Sequence, residues 1–476
     1  MVLVNVKWGR EKYEVDLNID ESPLLFKSQL FALTNVLPDR QKLLAKGRTI
    51  GDESWEGLTV TPGMMFMMMG SSAPIPQAPV PGGFDKDDHP LEPRKAVILP
   101  LGLGNLGNTC YFNSVLQMLQ VVPEVHSTLK ATKHPRISLL SEMSKTFTII
   151  NDPEYAEDNT HVQPFVLLET LRTHFPQFGS VSASGTMEQQ DANECYTVLL
   201  NTVLASTDRN TESRDNARKY FGGRFEVKTK CIESEEEEVT TSSETFYQLS
   251  CFLNQDVKYI QTGIKCGMKE EIEKYSNVLG RNSKWLKEEL IARLPKYVSI
   301  QLVRFFYKEN SQTSAKVLKD VKFPMMLDLY DVCTPELQAK LQPMRACIKE
   351  EEDAKIEIEQ KKKLMDKDEA KKFKDNGEVL PSEFEDDIGS NNSGFYELQA
   401  VVSHKGRTVK SGHYVAWIKS EGKWLLCDDE NVTPVDAENV LKTSGGGDWH
   451  TAYILLYGAR QVKKYPAPAA EPEPMN

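Results

Sequence analysis

Between Ser71 and Arg94 the chain places Pro74, Pro76, Pro79, Pro81, Pro90 and Pro93 among glycine, aspartate and lysine. Proline fixes φ and has no backbone N–H to donate, so a stretch this rich in it enters no helix or sheet interior and reads as an extended tether. Folded structure must lie on either side. The expected layout is a small module over residues 1–70, a linker over 71–95, one large mixed domain over 96–460, and a disordered tail over 461–476, which holds Pro466, Pro468, Pro472 and Pro474. The 476 residues are 40% hydrophobic, enough for two cores. No run approaches the roughly 18 apolar residues of a membrane span, and Met1 to Lys7 lacks the basic and apolar regions of a secretory leader. Eight scattered cysteines then read as reduced intracellular thiols, and a net charge of −12 argues against nucleic acid as a partner.

In the small module, Val2, Val4 and Val6 alternate, a turn falls near Gly9-Arg10, and Tyr13, Val15 and Leu17 alternate again, the pattern of a hairpin. Ser22-Pro23 supplies a helix start, and Leu24, Leu25, Leu30, Phe31 and Leu33 follow at roughly helical spacing. Leu43-Leu44-Ala45 and Met64 to Met69 read as later strands. Hairpin, helix, strand, strand is a β-grasp order. The run Leu37 to Arg48 resembles that of ubiquitin and ubiquitin-like domains. No diglycine follows the last strand, which continues Met69-Gly70-Ser71-Ser72, so the resemblance implies a permanent docking domain. If Met64, Phe66 and Met68 point inward, Met65, Met67 and Met69 form an exposed stripe near Leu44, a partner-binding surface. The competing reading is that these methionines fill the core.

Gly102-Leu103-Gly104-Asn105-Leu106-Gly107 matches a dinucleotide fingerprint and is close to a phosphate loop. Neither fits: Pro100 interrupts the preceding strand, and Asn108 stands where the loop's lysine belongs. What remains is a glycine-rich turn delivering Cys110 to a helix start. Unpaired N–H groups and the helix dipole stabilise a thiolate there, which makes Cys110 a candidate nucleophile. Asn105, five residues upstream, is expected to aim its amide N–H beside the Cys110 backbone N–H, giving two donors for an oxyanion. On position alone a structural cysteine is the better bet; a base decides otherwise. Ser411 to Ile418 and Trp424 to Asp428 read as a hairpin centred near Ser420-Glu421, which sets His413 opposite Asp428. Cross-strand Cβ atoms are ~5 Å apart, so the carboxylate can hold the imidazole. His404, with no such partner, is expected to be structural, and His450, near Gly445-Gly446-Gly447, to lie on a loop.

Gly104 to Ser114 resembles the cysteine box of the ubiquitin-specific proteases, and Ser411 to Val415 with Cys427-Asp428-Asp429 their histidine box. Gln189 to Glu194, Leu302 to Phe305 and Ala452 to Tyr457 are similar to further blocks in the same order. The resemblance implies an α+β chain, a ubiquitin-like β-grasp domain followed by a papain-like protease domain of fingers, palm and thumb. It implies a thiol-dependent deubiquitinase with Cys110 as nucleophile, His413 as general base and acid, Asp428 orienting His413, and Asn105 in the oxyanion hole. Asp191 and Glu194, at i and i+3 on one helical face, would grip the basic tail of ubiquitin, unless they are only a solvated helix start. A proteasome-associated branch of the family carries this layout, so the expected partners are ubiquitin, its conjugates and the 26S proteasome regulatory particle, docked through residues 1–70. The free protein is expected to be a monomer in the cytoplasm, with the nucleus as a further location.

Two features stand apart from that pattern. Cys231, Cys251 and Cys266 lack the paired Cys-x-x-Cys spacing of a structural zinc site, so no metal or other cofactor is expected. Lys349 to Asp375, inside a charged insertion at about 345–390, is nearly all Lys, Glu and Asp and reads as an exposed loop or at most a solvated helix. Tyr307 to Lys316 and Lys405 to Ser411, the second adjoining His413, are candidates to cover the cleft, and the resemblance implies that such loops hold the free enzyme in a weakly active state. The alternatives are a catalytically dead ubiquitin-binding adaptor and a nucleotide enzyme built on the Gly102 turn.

Overall fold

The computed structural model describes residues 2–8, 11–19, 23–34, 36, 41–46, 48–51, 54–55, 58, 60–69, 99–132, 138–182, 185–207, 216–308, 313–364, 376–408, 411–445 and 449–466. The linker expected over 71–95 and residues 467–476 of the expected tail lie outside the described residues, as do 365–375 of the insertion. Residues 461–466 differ from the disorder expected of the tail: Val462 is buried, and Lys463 and Lys464 pair with Val379 and Glu378. Two compact units divide the chain, Met1–Lys95 and Ala96–Asn476.

The first unit runs β1 (Val2–Trp8), β2 (Glu11–Leu17), α1 (Pro23–Thr34), β3 (Lys42–Ala45), β4 (Arg48–Ile50) and β5 (Met65–Met69). The strand order is β2-β1-β5-β3-β4, with β1 and β5 parallel at the centre, which is a β-grasp sheet. Alternation turns Val4, Val6, Val15 and Leu17 into the core, where Phe26 of α1 meets Trp55 and Phe66 at 5.9 and 5.6 Å. Past the end of α1 the buried Gln41 amide donates to the carbonyls of Lys27 within the helix and Val36 beyond it, tying the chain after the helix back to it. Along β5, Met64, Phe66 and Met68 are buried while Met65, Met67 and Met69 are 45%, 51% and 48% exposed. Met67 pairs with Leu44 across the β3 ladder.

The second unit begins with β6 (Gly102–Leu103), α2 (Cys110–Leu119), α3 (Pro123–Ala131), α4 (Leu139–Ile150), α5 (Pro153–Asp158), β7 (His161–Val162), α6 (Phe165–His174), α7 (Ala192–Ala205) and α8 (Ala217–Phe221). It continues with β8 (Gly223–Cys231), β9 (Thr240–Phe246), β10 (Leu249–Phe252), α9 (Ile260–Gly267), β11 (Lys269–Ser276), β12 (Arg281–Arg293), β13 (Tyr297–Val303), β14 (Phe305–Lys308), β15 (Thr313–Lys316) and β16 (Met326–Asp328). The last part holds α10 (Pro335–Leu364), β17 (Glu378–Val379), β18 (Phe395–Thr408), β19 (Ser411–Ser420), β20 (Lys423–Asp428), β21 (Asn431–Val435), α11 (Ala437–Leu441), β22 (Thr451–Ala459) and β23 (Lys463–Lys464).

These elements form a helical lobe, α2 to α8, a central sheet ordered β10-β13-β22-β18-β19-β20-β21 with β16 beside β18, and a four-stranded sheet ordered β11-β12-β8-β9. They match the thumb, palm and fingers expected of the fold. The central sheet carries a core on each face. Ala400, Val402, Tyr414 and Ala416 pack with α2 and α7, whereas Val401, Val415, Trp417 and Leu455 pack with α9 and the start of α10. All ten residues of α2 are buried between that sheet and α7. A helix enclosed on every side gains about 1.5–3 kcal/mol for each large apolar side chain it buries, and its polar residues must find partners inside. Gln117 does so by donating to the Leu101 carbonyl at 2.9 Å. Arg304, fully buried, donates to the carbonyls of Ala452, Val317, Lys319 and Ser444, fastening the chain around β13, β15 and β22.

The charged insertion differs from expectation. Its first part continues α10, a 30-residue helix, and Ile348 and Glu351 on it are buried. The Glu351 carboxylate meets Arg460 at 3.0 Å and Lys355 at 2.8 Å, and accepts from the Lys463 backbone N–H. Its main partner lies 109 residues away, which local composition does not reveal. Among the described residues no helix is long and apolar enough to cross a membrane.

Candidate active site

The glycine-rich turn lies against the chain that follows β20. Leu103 N–H donates to the Asp429 carbonyl at 2.8 Å, and a Cβ placed on Gly102 would stand 2.2 Å from the Glu430 carbonyl oxygen. A Cβ on Gly104 would stand 2.3 Å from Gln163 Oε1. These glycines permit close approach of protein to protein, so the fingerprint-like spacing has a packing cause.

Cys110 is the first residue of α2 and is buried. Its Sγ accepts the Tyr414 backbone N–H at 3.5 Å from β19, which packs along α2. The residue before Tyr414 is His413. Its Nε2 lies 2.6 Å from Asp428 Oδ1, and the same ring is in hydrogen-bonding contact with Cys110. The hydrogen bond to Asp428, then that to Cys110, pushes the imidazole up to about 10; the His413 bond in turn holds the Asp428 carboxyl below its usual range. Thiol, imidazole and carboxylate are therefore in line, with a base able to hold its proton at neutral pH.

The register that brings this about is not the expected one. The turn is Glu421-Gly422, both at positive φ, so Ala416 pairs with Cys427 and the ladder runs two residues away from a hairpin centred at Ser420-Glu421. His413 and Asp428 meet as diagonal neighbours, a separation their side chains span.

Asn105 is exposed at the rim of the turn. Its Nδ2 donates to Asp429 Oδ2 at 2.8 Å, and its Oδ1 accepts the backbone N–H groups of Gly107 and Thr109. The amide is thus held by Asp429, where the sequence suggested only a partner for the Cys110 N–H; of its two hydrogens one is already given. Asp429 also accepts from Asn113 Nδ2 at 2.8 Å, and burial pushes its carboxyl up. A single carboxylate so ties the turn to α2. Asp429 lies within the Cys427-Asp428-Asp429 run that resembles the histidine box, but the sequence assigned it no role of its own.

Asp191 and Glu194 do not share a helical face. Asp191 precedes α7 as its N-cap, Oδ1 accepting from the N–H groups of Asn193 and Glu194, while Oδ2 accepts the Tyr453 hydroxyl at 2.7 Å. Burial raises its carboxyl. Glu194 is exposed, with Gln177 Nε2 at 3.4 Å. His404 is buried, with Lys316 Nζ 3.0 Å from its Nδ1, and burial pushes it down to about 3. His450 lies closer to the centre than expected, its ring 6.2 Å from that of His413. Among the described residues, the grouping of possible metal ligands within 4.8 Å is His413, Asp428 and Asp429. Those groups already engage one another, Asn105 and Asn113.

A family profile described as ubiquitin carboxyl-terminal hydrolase matches residues 101–457. The chain is 46% identical over 488 residues to ubiquitin carboxyl-terminal hydrolase 14 of Caenorhabditis elegans, a match covering 100% of this chain and 96% of that protein. It is 38% identical over 483 residues to ubiquitin carboxyl-terminal hydrolase 6 of Arabidopsis thaliana, covering 97% and 100%. Among solved structures it shares the fold of a chain in the SAGA Ubp8/Sgf11/Sus1/Sgf73 DUB module bound to ubiquitin aldehyde, with a TM-score of 0.52 and 22% identity over 76% of this chain and 70% of that one.

Proposed function

Because this chain belongs to the ubiquitin carboxyl-terminal hydrolases, thiol-dependent deubiquitinating enzymes, we propose that Cys110, His413 and Asp428 carry that activity. The observation that supports this most is the His413 ring, bonded to Asp428 at 2.6 Å and in contact with Cys110. The Cys110 thiolate attacks the carbonyl carbon of ubiquitin's C-terminal glycine. The negative oxygen that forms is met by the Cys110 backbone N–H, which a helix start leaves without an intrahelical acceptor, and by the remaining Asn105 amide hydrogen. His413 gives its proton to the lysine amine as the C–N bond breaks, leaving a thioester on Cys110. It then takes a proton from water, whose oxygen attacks the thioester; the C–S bond breaks and the thiolate returns. Asp428 keeps the ring in orientation throughout, and no metal or other cofactor enters these steps.

Glu194, exposed beside the capped Asp191, contributes a carboxylate for the arginines of ubiquitin's tail, with Asp191 fixing the helix start that presents it. The Met1–Lys95 unit docks the enzyme on the 26S proteasome regulatory particle through Leu44, Met67 and Met69. Docking raises the effective concentration of enzyme at arriving conjugates, in the cytoplasm and also in the nucleus. Its consequence is trimming of ubiquitin where degradation is decided.

A ubiquitin-based electrophile tests the reading. It labels the wild type at one thiol, and Cys110→Ala loses both label and turnover while retaining ubiquitin binding. Turnover surviving in Cys110→Ala excludes the assignment. Deleting residues 1–70 lowers co-purification with the proteasome; an unchanged yield excludes the docking role.

A further inference from the structure

The imidazole of His413 has a second ring beside it that none of these steps uses. His450, at the entry to β22, meets it at 6.2 Å and 70° and also has the Trp449 ring edge-on at 5.8 Å. Behind His450 is a short polar relay. The buried indole Nε1 of Trp417 donates to Ser403 Oγ at 2.8 Å, and Ser403 Oγ lies 3.4 Å from His450 Nδ1. An indole only donates, so the hydroxyl hydrogen is the one left for Nδ1, which places the ring proton of His450 on Nε2. Burial, then the nearby His413, pushes His450 down to about 4. The charged and titratable groups that face it are His413 on β19, Lys405 and His404 on β18, Asp428 on β20 and Lys316 on β15.

A neutral ring suits this position. A cation there would compete for Asp428 and repel the imidazolium that the thiolate needs. His413 and Asp428 are already partly open to water, and a small side chain at 450 would open their bond further and leave His413 room to turn. The ring of His450 meets His413, Trp449 and Ser403, and of these it is His413 that reaches Cys110.

We propose that His450 is a positioning residue of the hydrolase: held by the Trp417–Ser403 relay, its uncharged ring packs against His413 and keeps that imidazole in line with Asp428 and Cys110. The inference rests on His413 being the general base and adds a requirement to it.

The test uses the full chain and ubiquitin carrying a fluorogenic C-terminal amide, with kcat and KM followed across pH. His450→Ala lowers kcat about tenfold, part of the ~10²-fold that a 1 Å misplacement costs. KM stays within about twofold of wild type, because no ubiquitin contact is lost. The alkaline limb moves to lower pH, since the Asp428 bond is the larger cause of the raised His413 value and water weakens it. Ser403→Ala shifts both readouts less in the same direction, and His450→Phe, which restores a neutral ring, recovers most of kcat. Wild-type kcat and limb in His450→Ala overturn the proposal, and so does a loss confined to KM. If His450→Ala fails to fold, Ser403→Ala and His450→Phe decide by the same criteria. A wild type without Cys110-dependent turnover overturns the parent reading as well, and that outcome is visible before any His450 variant is made.

Discussion

Nε2 of His413 and Oδ1 of Asp428 stand 2.6 Å apart although the β-ladder does not oppose the two residues. The bond crosses the sheet diagonally from a strand that also carries Tyr414, whose N–H reaches the Cys110 sulfur. One stretch of β19 therefore addresses the Cys110 sulfur and the Asp428 carboxylate at once.

Asp428→Asn keeps the shape of that pair and removes its charge. It is expected to lower kcat/KM by about 10²-fold, within the range general acid–base catalysis supplies. The alkaline limb, set in the wild type by an imidazole held up to about 10, falls toward the ordinary histidine value of 6.5. A pH profile of kcat/KM for the two proteins checks both.

The same pair links stability to pH. His413 is raised on folding, so its contribution is complete below 6.5 and lost as pH rises through about 10. Asp428 is lowered, so its contribution is present above 3.8 and lost as pH falls through its folded value. The difference in Tm between wild type and Asp428→Asn is expected to be largest between pH 3.8 and 6.5 and to close on the alkaline side. Both side chains are partly open to water, at 35% and 48%, and screening keeps the difference under about 1 kcal/mol.

Gly102→Ala and Gly104→Ala separate two kinds of close approach. The first puts a methyl 2.2 Å from a backbone oxygen of Glu430, and the second meets the end of the Gln163 side chain, which can move aside. Gly102→Ala is expected to destabilise the catalytic unit by about 2 kcal/mol and to reduce turnover by displacing Asp429, whereas Gly104→Ala changes either only slightly. Thermal melts and steady-state kinetics distinguish them.

Arg304→Met removes five N–H donors from a site where four carbonyls depend on them. Leaving buried acceptors unsatisfied costs about 1–3 kcal/mol each, so a loss of at least about 3 kcal/mol is expected. Urea unfolding followed by fluorescence of the palm tryptophans Trp417 and Trp424 measures it.

Met67→Asp puts a charge on the exposed side of β5, opposite Leu44. Proteasome binding is expected to fall at least tenfold while hydrolysis of a small ubiquitin amide stays unchanged. A pull-down with purified proteasome, paired with the fluorogenic assay, reads both.

Local pattern carried most of the β-grasp unit, because its strands alternate and its first two form a hairpin; the central pairing of β1 with β5 joins the two ends of the module and came with the resemblance. Cys110 and His413 were legible for a related reason: a turn-to-helix start and a hairpin are local signals, and each places its own side chain. What escaped depended on partners distant in sequence. Asp191 looked free until Tyr453 supplied a hydroxyl from 262 residues away, and Glu351 looked solvated until Arg460 reached it. The hairpin register slipped because Glu421 takes a positive φ, which propensity does not suggest for glutamate.

The place of β22 fixes when the central sheet can first close. Thr451–Ala459 is synthesised after every other strand of that sheet, yet it lies in its interior between β13 and β18. Until it has left the ribosome, the central sheet stays open between β13 and β18, and the strands that follow β18 lack the partner that joins them to β10 and β13. Translation therefore delivers all the strands of the β-grasp sheet long before the central sheet of the second unit can close.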